Sequence, residues 1–184
     1  MAGGGAAAVP PLELTPAQAR RLYAYNRAAF DRFRRAAKRR GLRAARRNRE
    51  IGHRSIFDTL VHVLNVHEVW LGYILPGRPE SDLERLFADP ARRPRDWAAF
   101  DRYARRVWAT VDARLAALRP ADLGRRVSVF WLRGRYTASD GIVQASLEQA
   151  HHLGEIIGAL WQEEIEPPPM TWIAVGRSLR PPLR

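Results

Sequence analysis

The residues of this chain best suited to chemistry are its five histidines, His53, His62, His67, His151 and His152. Four of them lie in two short stretches, SIFDTLVHVLNVHEVWL from Ser55 to Leu71 and EQAHHLGEIIGALW from Glu148 to Trp161, and the fifth stands two residues upstream of the first. Neutral imidazole is the commonest protein ligand for a transition metal, and two helices that each turn an imidazole inward can hold one ion between them. With no cysteine in the chain, thiolate nucleophiles, disulfides and thiolate-bound zinc or iron-sulfur centres are excluded, so any metal must be held by His, Asp or Glu.

Helical spacing sorts these candidates. At about 100° per residue, Glu148 and Ile156 fall about 40° to either side of His152, and Ala145 and Ala159 lie closer still. Glu148 and His152, at i and i+4, therefore point inward together on a small apolar face. His151 shares its side with Gln144, Glu155 and Gln162, which reads as a wet face. In the earlier stretch His62 shares a direction with Asp58, Val66, Val69 and Tyr73, and His67 with Ile56, Leu60, Val63, Leu71 and Ile74. Periodicity leaves both open as the inward histidine. The blander alternative is that all are buried histidines satisfied by hydrogen bonds.

The elements that must position these residues are helices. Thr15, Pro16 and Gln18 form a helix start, and apolar residues at helical spacing run from there to Gly41, which predicts helix one over residues 16–40. The segment LRAARRNREIGHR after it reads as a loop or frayed extension. Ser55 with Asp58 opens a second helix, apolar on nearly every side, that Pro76-Gly77 ends. Residues 76–95 read as a long connection with at most a short turn of helix. A third helix spans about 96–119 and stops at Pro120. RVSVFWLRGRY suggests a hairpin or extended crossover, and Thr137 with Asp140 starts a fourth helix that runs to about Glu164. Met170 to Trp172 should fold back on the bundle. The expectation is an all-α four-helix bundle with a long crossover, a small hairpin or extended segment before the last helix, a flexible tail over 1–14 and a single domain over 15–184.

Composition limits the rest. The 184 residues, 46% hydrophobic with six Trp, suffice for one core. The start of the chain does not read as a signal peptide and no run approaches a membrane span, so a cytoplasmic protein is expected. The net charge of +12 is localised: Arg20 to Arg54 holds 14 Lys or Arg against two acids, and the remainder holds 17 of each. Such density attracts phosphate, yet no recognition motif accompanies it, and the aromatic residues there sit at packing spacings. Nucleic-acid binding is expected to be weak and non-specific at most.

The phrases SIFDTLVHVLNVHEVWL, LYAYNRAAFDRF and HHLGEIIGALW followed by EPPPMTW resemble the DinB/YfiT-like superfamily of four-helix bundles. That resemblance implies a mononuclear centre with one His from the second helix and a His-x-x-x-His pair from the fourth. The family position in DTLVH falls on His62, the second member of the pair on His152, and the first on Glu148, where a carboxylate replaces the usual imidazole. His62, Glu148 and His152 are thus the expected metal ligands, a set compatible with Zn, Ni, Fe or Mn. Asp58 is a candidate to orient His62 although capping explains it better, and Tyr73, His67 and the aromatic residues of helices one and three are candidates for a pocket lining. The resemblance further implies a homodimer and, in some relatives, transferase or isomerase chemistry with a low-molecular-weight thiol. The alternative is a metal-free scaffold that keeps the bundle.

Overall fold

The computed structural model describes residues 13–132, 134 and 136–172. The tail expected over 1–14 lies, but for residues 13 and 14, outside them. Helix α1 (Pro16–Arg39) starts at a capping box in which the Gln18 amide donates to Thr15 Oγ1 at 3.2 Å and Thr15 N donates to Gln18 Oε1 at 2.8 Å. It buries Tyr23, Phe30 and Phe33 along one face and ends at Gly41, whose φ of 81° suits a residue without Cβ. A single helical turn, α2 (Leu42–Ala45), follows, then an irregular loop to Ser55.

Helix α3 (Ile56–Val69) is capped by Ser55 and is buried almost all round. It does not stop at Val69. It widens into a π turn over Trp70–Ile74, closed by Leu75 N donating to Trp70 O at 2.9 Å, before Pro76 and Gly77 end it. The long connection contains more structure than its composition suggests: α4 (Glu80–Ala88) and a 3₁₀ turn over Pro90–Arg92. Leu83 and Leu86 supply α4 with the apolar edge that docks it.

Helix α5 (Trp97–Ala116) is capped by Asp96, and a short α6 (Pro120–Leu123) leads to a two-stranded antiparallel ribbon. Its strands, β1 (Arg126–Val127) and β2 (Tyr136–Thr137), pair Arg126 with Thr137 and Val127 with Tyr136. Helix α7 (Ala138–Trp161) begins directly after β2 with a Thr137–Asp140 capping box. The long helices α1, α3, α5 and α7 form the expected all-α bundle, with α3 packed against the other three. The chain after α7 returns to α1, where Trp172 lies 5.0 Å from the Tyr25 ring.

Polar residues bolt the bundle internally. Gln149 donates to Asn26 O at 2.8 Å and accepts from His67 Nε2 at 2.7 Å, while Asn26 donates to Ser146 Oγ at 2.8 Å. His67 is fully buried beside Tyr23 and Trp108 and its Nδ1 has no hydrogen-bond partner. It belongs to the core and lines no cleft, a correction to its candidacy for a pocket. Tyr73, the other candidate, lies beneath the Arg78 guanidinium, away from the histidines.

Burial lowers the His67 pKa to about 4 because the imidazolium has lost its water. The unfolded chain therefore binds the proton more readily. The associated stability is fully present above pH 6.5 and is lost as pH falls through 6.5 towards 4. From pH 7.5 to pH 5.0 the loss should be roughly 2 kcal/mol. Urea unfolding of chelator-treated protein at the two pH values, beside His67→Gln, checks this: the variant should lose that much less than wild type, and parallel losses would refute it.

The basic residues of α1 and the loop after it are largely engaged. Arg34 and Lys38 reach Asp101 at 2.6 Å, Arg27 reaches Asp112 at 2.5 Å, and Arg46 donates to Pro94 O and lies over the Phe57 ring. Each exposed pair contributes little alone. Together they fasten this segment to α5, to the chain before it and to α3.

Candidate metal centre

Three imidazoles meet where α3, α7 and the loop of residues 46–55 converge. His62 and His152 face each other across the bundle with ring centroids 4.5 Å apart. His53 stacks on His62 at 3.7 Å and meets the edge of His152 at 5.0 Å. One ring nitrogen from each lies within 4.8 Å of the other two. Glu148 stands beside them with Oε1 3.7 Å from His62 Nε2, too long for a direct hydrogen bond.

The loop that delivers His53 is held from both sides. Arg49 N donates to Arg54 O and Arg54 N to Ile51 O, both at 2.7 Å, closing a tight turn around Gly52 and His53. Glu50 and Arg54 take positive φ, 56° and 68°, a conformation that non-glycine residues adopt only where the surroundings impose it. Gly52 presses against α7 so closely that a Cβ there would meet Glu155 Oε1 at 2.7 Å. Beneath the loop, the Glu163 carboxylate accepts from Arg40, Arg47 and the buried Arg49, the last at 2.6 Å. Part of the basic surplus thus forms a clamp that fixes the loop to the end of α7.

Glu155 orients the centre. It accepts from His152 Nδ1 at 3.0 Å and lies 3.6 Å from His151 Nε2. A carboxylate on Nδ1 sets the tautomer that leaves the Nε2 lone pair free, as the partners of metal-bound histidines do. Partial burial raises the Glu155 pKa, but the His152 hydrogen bond and the nearby imidazoles outweigh it and hold the carboxyl below its usual range. Glu148 is likewise held low, chiefly by His62. His53 is pushed down by burial and then by the charges that His62 and His152 would bear, so its lone pair is available at neutral pH. Three imidazoles with two ionised carboxylates around them are a donor set suited to a divalent cation.

The structure brings His62 and His152 together, with Glu148 in reach of His62. It leaves His151 exposed and assigns Asp58 to capping, where Ser55 Oγ donates to its carboxylate at 2.5 Å. Two residues escaped the helical wheel. His53 lies outside any helix, where periodicity has no meaning; its two-residue offset from the second helix was the available signal. Glu155 was placed on the wet face, yet at i+3 from His152 it reaches that ring from the side.

The DinB superfamily family model matches residues 24–156, well over half of the chain and a span that contains His53, His62 and His152. This chain belongs to the DinB superfamily. No curated protein matches it. As a DinB-superfamily bundle it has, among the described residues, no helix long and apolar enough to cross a membrane. A cleft of about 710 Å³ opens beside the centre, with His62 and Glu148 in its wall.

Proposed function

We propose that this DinB-superfamily protein is a metal-dependent enzyme whose single divalent ion (Zn, Ni, Fe or Mn) is held by His53, His62 and His152, with Glu148 as the adjoining carboxylate donor. The observation that carries the reading is the convergence of three imidazoles on one point, one of them backed by Glu155. Imidazoles gathered this closely repel one another when protonated, and the His53 ring has no hydrogen-bond partner among the described residues. Core packing alone gives no reason for that arrangement. A bound ion would supply Lewis acidity, lowering the pKa of a water or of a thiol. The chain's own residues do the rest: Glu155 keeps His152 in one tautomer, the Glu163 clamp keeps His53 in place, and Glu148 offers a negative charge at the cleft.

Transferase or isomerase chemistry with a low-molecular-weight thiol is the reaction class this proposal adopts, in the cytoplasm. A homodimer is part of it, supported by exposed Leu147 and Trp161, four turns apart on one face of α7. Engagement of Arg27, Arg34, Lys38, Arg40 and Arg49 in intramolecular pairs supports only weak, non-specific nucleic-acid binding.

One experiment tests the metal and the assembly together. Protein purified without chelator or added metal is run through size exclusion with light scattering and elemental detection. One ion per chain in a particle of twice the chain mass is expected. A metal-free peak that takes up no Zn, Ni, Fe or Mn on titration would replace the enzyme reading with the metal-free scaffold.

A further inference from the structure

We propose that the cleft beside the histidine centre binds an aromatic carboxylate, with the carboxylate held at Arg93 and Asn65 and the ring against Trp131 and Phe130. The inference rests on the metal reading only for which end of the ligand reacts. Phe130 and Trp131 are half exposed, at 50% and 47%, and both turn towards this one cleft. Trp131 meets Phe130 edge-on at 4.7 Å and Trp70 at 6.2 Å, so the wall consists of linked rings at steep angles. An aromatic ligand can add to such a wall by further edge or stacked contacts. Trp70 is itself set by two local features. It opens the π turn, and Gly141 on α7 leaves the space its ring fills, since a Cβ there would stand 3.0 Å from Trp70 Cε3. At about 710 Å³ the cleft has the size of a small-molecule site, and exposed rings gathered in one concavity are the kind of patch that marks a ligand surface.

The polar groups in the wall select the charge. Asn65 accepts from the Tyr103 hydroxyl at 2.5 Å through Oδ1, so what it offers the cleft is its amide N–H groups. Arg92 lies in the same wall, but its charge is offset by the buried Glu68 at 2.8 Å. The exposed Arg93 makes no ion pair among the described residues, so it is the cation left for a ligand. A guanidinium and an amide donor together match a carboxylate. Glu148, at the histidine end, repels one. The ligand's anionic group therefore sits at Arg93, which directs the rest of the molecule towards His62.

Calorimetric titration with 2-naphthoate, its uncharged amide and decanoate, on protein as purified and after chelation, tests the assignment. Naphthoate should bind at least tenfold more tightly than naphthamide and decanoate in both preparations. Arg93→Gln should remove most of the preference for the carboxylate over the amide and Arg93→Lys should retain part of it, while Phe130→Ala should weaken naphthoate and naphthamide alike by several-fold. Equal binding of acid and amide to wild type would overturn the proposal, and so would an unchanged preference in Arg93→Gln. A preference present only before chelation would mean that a metal holds the carboxylate, and would overturn it too. Decanoate binding as tightly as naphthoate would overturn the aromatic assignment. If no metal binds but the preference persists after chelation, the metal reading alone fails.

Discussion

Alanine at His62 or His152 is expected to weaken divalent-metal binding by at least a hundredfold, and alanine at His53 by a comparable factor. Each substitution removes one of three imidazoles that approach within 4.8 Å, and two remaining rings hold a divalent ion poorly. A hundredfold corresponds to about 2.7 kcal/mol. Glu148→Ala should cost less, about tenfold, because its carboxylate contacts only the His62 side of the cluster while its charge still offsets that of the ion. Glu155→Gln, which leaves every imidazole in place but weakens the hold on His152 Nδ1, falls within the roughly 10- to 100-fold range seen when such partners are lost. The measurement is a metal titration of the variants at one fixed pH, since protons compete for the same nitrogens. Wild-type affinity in His53→Ala, with a large loss in Glu148→Ala, would return the ligand set to His62, Glu148 and His152.

Glu163→Ala should destabilise the fold by about 3 kcal/mol and loosen the metal centre with it. The Arg49 side chain is only 4% exposed and takes its charge compensation from Glu163 at 2.6 Å. Removing one partner of a buried pair strands the other charge, which costs on the order of 3–5 kcal/mol, and the lower end applies because Arg40 and Arg47 reach water more easily. The same clamp fixes the loop that supplies His53, so metal affinity should fall although no candidate ligand has changed. Urea unfolding and a metal titration on one preparation check both effects. An unfolding midpoint within error of wild type would show that the clamp is not structural. Restoring stability with Arg49→Met in the Glu163→Ala background, by removing the stranded charge, would confirm the cause.

Local chemistry written in consecutive residues was legible before any coordinates. Thr15-Pro16 with Gln18, Ser55 with Asp58, and Thr137 with Asp140 start helices because a side chain three residues away satisfies an otherwise unpaired amide, and that depends on nothing distant. The apolar spacing along residues 16–40 and 96–119 determined which faces meet, and hence the bundle. The i, i+4 spacing of Glu148 and His152 set both on the inward side of α7. The family phrase DTLVH, and not periodicity, selected His62 over His67. Apolar on nearly every side, the helix that bears both offers in its sequence no clear amphipathic stripe to discriminate between them. What only the tertiary structure decided lies where the chain is irregular or the partner is remote. His53 reaches the centre because Arg49 finds Glu163, 114 residues away, and Gly52 fits against Glu155. The docking of α4 and the π turn at Trp70 depend on packing against other elements, as does the hydrogen bond from His67 Nε2 to Gln149, which no local pattern records. A helix start is a contract between neighbours in sequence. A metal centre is one between strangers, and its terms are set by the loops and clamps that bring them together.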